Sequence, residues 1–296
     1  MEFHYFEPAT LRECIEMLVR YGPEATLLAG GTDLVVKLRL RTLRPRAVIS
    51  LEYIEELRKL ERKGDGTLEI GAMKTLREIE NSDVLAMDFD SIRQGARSVS
   101  SIQVRNVATL GGNSCNASPS ADTVPGLIVA GAMARIVGPG WERLLPLEEF
   151  FAGPGKTALQ TGEMLAGFQV PPPLPDTGGV YKKYAIRGEV DIAIVGVAAR
   201  LSLDKSHRLH QVRVVLGAVA PIPLRARKAE EVLSGEYPEE ELFAEAARVA
   251  AEESRPISDQ RATGQYRQKM VRVWTGYALQ EAFQRAREKL RFSEIS

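Results

Sequence analysis

The chain has 296 residues, of which 44% are hydrophobic and 26% are charged, a balance typical of a globular protein with two or three compact units. Its 39 basic and 39 acidic residues cancel, so the overall charge favours neither a nucleic acid nor an anionic membrane as a partner. The two cysteines, Cys14 and Cys115, are too few for a disulfide framework or for a zinc or iron–sulfur site made by this chain alone.

Two further absences narrow the class of protein. The three histidines are too few for a metal or acid–base constellation, so we expect no metal ligand and no catalytic residue from this chain. The sequence shows neither a secretory signal nor an apolar run of about eighteen residues, which favours a cytoplasmic protein without a transmembrane segment. The chemistry is therefore expected to come from a bound cofactor or a partner.

In chain order, the N-terminal third is predicted to alternate short helices and strands. Thr10 and Glu13 have the spacing of a capping box ahead of apolar residues at helical spacing, and Gly22 is predicted to end that helix. Thr75 and Glu78 repeat the capping pattern further along. Apolar runs predict strands at residues 25–29, 47–51 and 68–72, with a short helix at residues 33–40.

The central part is less regular. A helix is predicted at residues 91–104, and residues 108–122 (ATLGGNSCNASPSAD) form a stretch rich in glycine, serine, asparagine and alanine. The apolar segment 127–137 fits either a strand or a buried helix. Prolines at 171–173 and Pro175 predict a stiff linker, so we place a domain boundary there.

The C-terminal part changes to a β-rich pattern. Residues 180–186, 192–203 and 209–219 predict three strands, the last two joined by a polar turn. Strongly helical segments follow at residues 241–253 and 266–290. We therefore predict an α+β protein in which an antiparallel sheet is backed by helices.

The segment 28–33 (LAGGTD) lies between a predicted strand and a predicted helix. Adjacent glycines allow a close approach to the backbone, and N–H groups at the start of a helix can bind a phosphate. An ordinary strand-to-helix turn capped by Thr32 or Asp33 explains the same residues. The segment alone does not decide between these interpretations.

A second glycine pair, Gly111 and Gly112, lies in the stretch 108–122. Its small residues allow close approach and its hydroxyls and amides offer many donors, although a surface loop is the alternative. Two Gly-Gly turns next to strands suggest one ligand with two phosphates held from both sides. Neither turn fits the GxGxxG pattern of a Rossmann dinucleotide site.

Two other features carry no function. Residues 153–157 (GPGKT) look like the end of a P-loop, but Phe150 occupies the leading glycine position, which argues against nucleotide hydrolysis. Cys115 has no neighbouring histidine to activate it, so we interpret it as a small packing residue.

Together, the motifs at residues 29–33 and 108–122 resemble the signature of the FAD-binding subunits of molybdenum hydroxylases. This family includes the medium subunit of carbon monoxide dehydrogenase and the flavin domain of xanthine dehydrogenase. Residues 182–184 (KKY), followed by RGE at 187–189 and DIAI at 191–194, resemble the start of the family's C-terminal flavoprotein domain. The resemblance covers nearly the whole chain.

The resemblance implies a domain organisation. A two-part PCMH-type FAD-binding domain would occupy residues 1–56 and 57–175. A C-terminal domain of an antiparallel sheet plus helices would occupy residues 176–290, which keeps the overall class α+β.

The resemblance also implies the cofactor contacts. The first motif would wrap the pyrophosphate of FAD through backbone amides, and the second would close over it from the other side. Asp122 would accept hydrogen bonds from sugar or ribityl hydroxyls, while Leu165 and Lys183 would lie near the isoalloxazine ring, where a lysine could stabilise negative charge on the reduced flavin. The cofactor-binding residues implied in this way are Leu27, Leu28, Ala29, Gly30, Gly31, Thr32, Asp33, Leu34, Ala108, Thr109, Leu110, Gly111, Gly112, Asp122, Leu165 and Lys183.

The function implied is that of an oxidoreductase subunit. It would carry FAD non-covalently, because neither motif contains a histidine, and no iron–sulfur cluster, because the chain has two cysteines. Electrons would pass from an iron–sulfur small subunit, served by a molybdopterin large subunit, to an external acceptor, within a dimer of heterotrimers. Two alternatives stay open: a stand-alone MurB-like flavin oxidoreductase with its own acid–base residue, and a non-catalytic FAD-binding or assembly protein.

Overall fold

The computed structural model describes residues 2–188 and 190–295, with side chains described up to Arg291. Glu189, part of the RGE segment noted above, lies outside the described residues, as do Met1 and Ser296. Within the described residues, three hydrophobic clusters lie mainly in the N-terminal, the central and the C-terminal part of the chain, and we call these parts the N-terminal, central and C-terminal layers. The domain bounds inferred from the sequence stay a prediction.

The N-terminal layer is a small parallel sheet with the strand order β1-β3-β2. Thr10 caps its first helix by accepting a hydrogen bond from the N–H of Glu13 at 3.2 Å, as the capping pattern predicts. Short helical crossovers connect the strands, which is how parallel strands are joined. The elements are β1 His4–Phe6, α1 Leu11–Tyr21, β2 Ala25–Leu28, α2 Leu34–Arg39 and β3 Ala47–Ser50.

The central layer is an antiparallel five-stranded sheet with the order β4-β5-β10-β6-β7, and a two-stranded sheet of β8 and β9. Its strands are β4 Leu60–Arg62, β5 Leu68–Gly71, β6 Met133–Gly138, β7 Trp141–Pro146, β8 Phe151–Gly153, β9 Lys156–Thr157 and β10 Met164–Val170. Five short helices connect β5 to β6: α3 Leu76–Glu80, α4 Asp90–Arg97, α5 Ile102–Arg105, α6 Leu110–Cys115 and α7 Thr123–Val129.

One prediction for the central layer needs correction. The helix predicted at residues 91–104 is broken into α4 and α5, because Ser100 adopts a left-handed conformation with φ of 47°. The Arg105 guanidinium stabilises the break by donating to the carbonyl oxygens of Val99 and Ser100, at 3.0 and 2.8 Å. The segment 127–137, for which the sequence allowed either a strand or a buried helix, contains both: the end of α7 and most of β6.

The C-terminal layer is an antiparallel sheet with the order β11-β12-β13-β14, packed against helices. The three β-rich runs are confirmed as strands, and both predicted helices are present; the short helix α8 carried no strong sequence signal. The elements are β11 Thr177–Tyr184, β12 Val195–Leu203, β13 Leu209–Gly217, β14 Leu224–Arg225, α8 Arg227–Leu233, α9 Glu240–Glu253 and α10 Gly264–Ile295.

The two faces of this sheet pack against different partners. Side chains such as Val197 and Leu216 join the cluster formed with α9 and α10, whereas Tyr181, Ala198 and Val215 join the central cluster. The sheet is therefore buried on both faces, and its second face lies against the central layer. None of the helices in the described residues has an apolar stretch long enough to cross a lipid bilayer.

Candidate functional site

A cavity of about 980 Å³ lies where the three layers meet. This volume is at the upper end of the range of about 300–1,000 Å³ that is usual for ligand and cofactor sites. Most of the residues predicted from the sequence line it: Leu27, Ala29, Gly30, Gly31, Thr32, Asp33, Leu34, Ala108, Thr109, Gly111, Gly112, Asp122 and Leu165. Leu28, Leu110 and Lys183 do not.

The first glycine loop, residues 29–33 between β2 and α2, offers a set of free donors to the cavity. Within the described residues, none of its five backbone N–H groups donates to a protein acceptor. Asp33 stands at the N-cap of α2 but makes no capping hydrogen bond, and Thr32 makes none either. The loop is therefore not a turn satisfied by its own cap, and its amides are available to an anionic group.

The second glycine loop, residues 108–112, differs because four of its five backbone N–H groups, all except that of Thr109, already donate to protein acceptors. The N–H groups of Leu110 and Gly111 donate to the carbonyl oxygens of Lys74 and Ala72, both at 2.9 Å. Thr109 caps α6 by accepting from the N–H of Gly112 at 3.0 Å. This loop therefore supplies a rigid wall rather than a second set of free amides, and the Leu110 side chain belongs to the core.

The two glycines of each pair have different surroundings. A Cβ on Gly30 would lie 1.8 Å from the carbonyl oxygen of Val107, and one on Gly111 would lie 2.6 Å from the Cβ of Ala72. These first glycines let two main chains pack together. A Cβ on Gly112 would meet the Thr109 hydroxyl at 2.9 Å and then Ala29 only at 3.8 Å, so the second glycine keeps the gap between the loops open.

A hydrogen-bonded chain links the two loops at the cavity wall. The Asn116 amide donates to the Asp33 carboxylate at 3.1 Å, and the Lys37 ammonium donates to the Asn116 amide oxygen at 2.8 Å. Lys37 also lines the cavity and retains donors beyond this bond. The sequence analysis missed both Lys37 and Asn116, although Lys37 follows Asp33 by one helical turn and so shares its face of α2.

Asp122 is one of two buried charged residues described in the cavity wall, the other being Glu163. Its carboxylate accepts from the Tyr181 hydroxyl at 2.6 Å and from the Lys183 ammonium at 2.8 Å. Burial raises the pKa of Asp122, and the Lys183 charge together with the two hydrogen bonds opposes that rise. Asp122 stands at the N-cap of α7 without capping it, so the carboxylate is turned toward β11 instead.

Lys183 lies behind Asp122 rather than on the cavity wall. Its side chain is 9% exposed, and its ammonium also donates to the carbonyl oxygen of Ser98 at 2.9 Å. Any influence of Lys183 on a ring in the cavity therefore acts across Asp122. Leu165, by contrast, lies on β10 with its side chain buried and lines the cavity directly.

Comparison with known proteins decides which cofactor this geometry serves. Residues 1–173 match the family described as the FAD binding domain in molybdopterin dehydrogenase, and residues 180–282 match the C-terminal domain of the CO dehydrogenase flavoprotein. The chain belongs to the FAD-binding subunits of molybdenum hydroxylases.

Individual relatives agree over the full length. The chain is 32% identical to the xanthine dehydrogenase FAD-binding subunit of Escherichia coli, over 97% of this chain and 98% of that protein. It is 29% identical to the carbon monoxide dehydrogenase medium chain of Afipia carboxidovorans, over 96% and 98%. A solved carbon monoxide dehydrogenase from Hydrogenophaga pseudoflava superimposes with a TM-score of 0.91 at 30% identity, covering 96% of this chain and 98% of that one.

The resemblance, the α+β fold and FAD as the cofactor are thereby confirmed, and the chain is a component of an oxidoreductase. The geometry of the site also fits FAD independently of these comparisons. Five free N–H groups in one loop suit a pyrophosphate, the cavity is large enough for a dinucleotide, and the glycine pairs keep the wall free of side chains.

The FAD-binding subunit also closes its cavity with a C-terminal segment that sequence reasoning quoted but did not assign to the site. Arg187, Val190, Asp191 and Ile192 line the cavity, as does Arg261 from the loop before α10. The Asp191 carboxylate is held by the Arg187 guanidinium at 3.1 Å, which with two backbone N–H groups keeps the pKa of Asp191 far below its usual value.

Cys115 lines the cavity as well, but it is not an activated thiol. Burial raises its pKa to about 12, so the thiolate form is disfavoured. Within the described residues, no group of histidine, cysteine or acidic side chains is arranged to hold a metal ion. The interpretation of Cys115 as a packing residue agrees with this environment.

Proposed function

We propose that this chain is the electron-transfer subunit of a heteromeric molybdenum hydroxylase. It would receive electrons from an iron–sulfur small subunit, served by a molybdopterin large subunit, and deliver them to an external acceptor. FAD, when bound, supplies the redox chemistry. The loop 29–33 would hold its pyrophosphate through backbone amides, Asp122 would accept from its hydroxyls, and Leu165 would pack near the isoalloxazine ring. The complex would be a cytoplasmic dimer of heterotrimers.

One observation favours electron transfer over self-contained catalysis. Every carboxylate described in the cavity wall already has partners: Asp33 binds Asn116, Asp122 binds Tyr181 and Lys183, Glu163 binds Arg143, and Asp191 binds Arg187. A general acid or base for an organic substrate needs a group free to exchange a proton. Among the described residues of the cavity wall, no histidine and no carboxylate without a protein partner is present for this role, which argues against the MurB-like alternative.

The subunit assignment is tested by purification of the native complex. We expect this chain to co-purify with a molybdenum-containing subunit and an iron–sulfur subunit. Turnover of an organic substrate by the isolated chain would contradict the proposal and support a stand-alone oxidoreductase. Isolation of the chain with FAD and without any redox partner would instead support a binding or assembly role.

We expect FAD to be held non-covalently. No histidine lines the cavity among the described residues, and burial raises the pKa of the Cys115 thiol to about 12, so the cavity offers no activated nucleophile for flavin attachment. Acid precipitation should release the flavin into the supernatant, measured by its absorbance. Flavin that stays in the protein pellet would contradict this expectation.

Lys183→Ala should leave the pyrophosphate contacts of FAD in place, with a reduced affinity, and should lower the reduction potential of the bound flavin. The substitution removes a positive charge near the proposed ring site, which disfavours the anionic reduced ring. A loss of interaction of about 1.4 kcal/mol corresponds to roughly 30 mV for a two-electron couple.

The measurement is a redox titration of wild-type and variant protein with matched FAD content. Lys182→Ala is the matched control, because the Lys182 side chain lies on the opposite face of β11 and forms an ion pair with Glu281 on α10. If the reduction potential of the flavin is unchanged in Lys183→Ala, Lys183 does not act on the flavin and is not part of the site.

A further inference from the structure

Two side chains of β11 contact one buried carboxylate of the central layer. Tyr181 and Lys183 are two residues apart, so their side chains project from the same face of the strand. Each donates to a different oxygen of Asp122, at 2.6 and 2.8 Å. We propose that Tyr181 is a positioning residue, which together with Lys183 orients Asp122 toward the cofactor, so that the C-terminal sheet completes the FAD site. The proposal rests on the proposed contact between Asp122 and the cofactor.

The surroundings of Tyr181 fix the position of its hydroxyl. The side chain is buried with 5% exposure, and its backbone N–H donates to the Gln94 side-chain oxygen on α4 at 2.7 Å. On the neighbouring strand, a Cβ at Gly196 would lie 2.6 Å from the Tyr181 hydroxyl oxygen. Glycine at this position therefore provides the space that the ring needs to reach Asp122.

Asp122 retains acceptor capacity for the cavity after both contacts. A carboxylate offers about four lone-pair positions, and the two protein donors occupy one on each oxygen. Asp122 is 6% exposed, and its carboxylate makes no capping hydrogen bond to α7. Among the described residues, the two hydrogen bonds from β11 are therefore the ones that set the orientation of the Asp122 carboxylate.

The same contacts oppose the rise in the pKa of Asp122 that burial causes. The titratable groups that face it are Tyr181 and Lys183 from β11, while α4 and the turn after it contribute the neutral Gln94 amide and the Ser98 carbonyl to this cluster. Burial raises the pKa of Asp122 and the two donors oppose the rise. Removing the Tyr181 hydroxyl therefore raises that pKa further, so more of the acceptor is protonated as the pH falls.

The test compares FAD binding to Tyr181→Phe, Asp122→Ala, the double variant and wild type at pH 8 and pH 6, by flavin fluorescence titration of apoprotein. Tyr184→Phe is the matched control, because Tyr184 lies on the same strand and loses only its hydrogen bond to Tyr266. Thermal unfolding of each apoprotein shows whether the variant is folded.

We expect Tyr181→Phe to raise the dissociation constant for FAD about tenfold at pH 8 and to raise it further at pH 6, whereas Tyr184→Phe follows wild type at both pH values. In the Asp122→Ala background, Tyr181→Phe should have no additional effect, because it acts through that carboxylate. An unchanged dissociation constant, or an increase that is equal at both pH values and persists without Asp122, would overturn the proposal. Failure of the wild-type apoprotein to bind FAD would instead overturn the assignment of the cofactor site itself.

Discussion

Gly112→Val is expected to lower the affinity for FAD by about a hundredfold, or roughly 2.7 kcal/mol, while the fold survives. The branched side chain would enter the gap between the two glycine loops, where the nearest atoms beyond Thr109 belong to Ala29 at 3.8 Å. Gly112 lies within α6, where valine has a slightly better intrinsic helix propensity than glycine, by less than about 1 kcal/mol. Displacement of the Thr109 cap costs about 1 kcal/mol, so the fold is expected to tolerate the substitution.

The measurement is the FAD content of purified protein together with chemical denaturation of the apoprotein. Gly64→Val is the matched control, because a Cβ at Gly64 has no neighbour within 4 Å and Gly64 does not line the cavity. Full flavin content in Gly112→Val would remove this glycine from the site. Gly31→Val is a less selective probe, because Gly31 has a φ of 74° and any side chain there is strained.

Gly30→Ala is expected to destabilise the protein itself, by about 3 kcal/mol, and to abolish FAD retention as a consequence. A Cβ at this position would lie 1.8 Å from the carbonyl oxygen of Val107 and 2.5 Å from its carbonyl carbon. Backbone atoms cannot rotate out of the way, so the two loops must separate. The separation would also break the wall of the cavity.

The free energy of unfolding of the apoprotein, measured by denaturant titration, checks this expectation. Gly276→Ala is the control: a Cβ at Gly276 in α10 has no neighbour within 4 Å, so the helix should gain up to about 1 kcal/mol. If Gly30→Ala were as stable as wild type, the close packing of the loops would not be needed for folding. Comparison of the two variants therefore distinguishes Gly30, which the fold needs, from Gly112, which FAD binding needs.

The sequence by itself determined the features that depend on near neighbours. The capping box at Thr75 and Glu78 is present with both reciprocal hydrogen bonds, and the three β-rich runs of the C-terminal part form an antiparallel sheet. The first glycine pair lies between a strand and a helix, as predicted, whereas the second pair lies within the short helix α6 instead of in the predicted turn next to a strand. These signals are readable because a cap or a strand is specified by residues within a few positions of one another.

The roles of individual site residues were decided only by the tertiary structure. Asn116 reaches Asp33 across 83 positions, and Tyr181 and Lys183 reach Asp122 across 59 and 61. The sequence shows the same GG in both loops, yet only the first loop keeps its amides free, because the second lies against the main chain of residues 72–74. Hydrogen-bond donors and acceptors are satisfied by whichever groups packing brings within about 3 Å, and that choice depends on contacts between segments far apart in the chain.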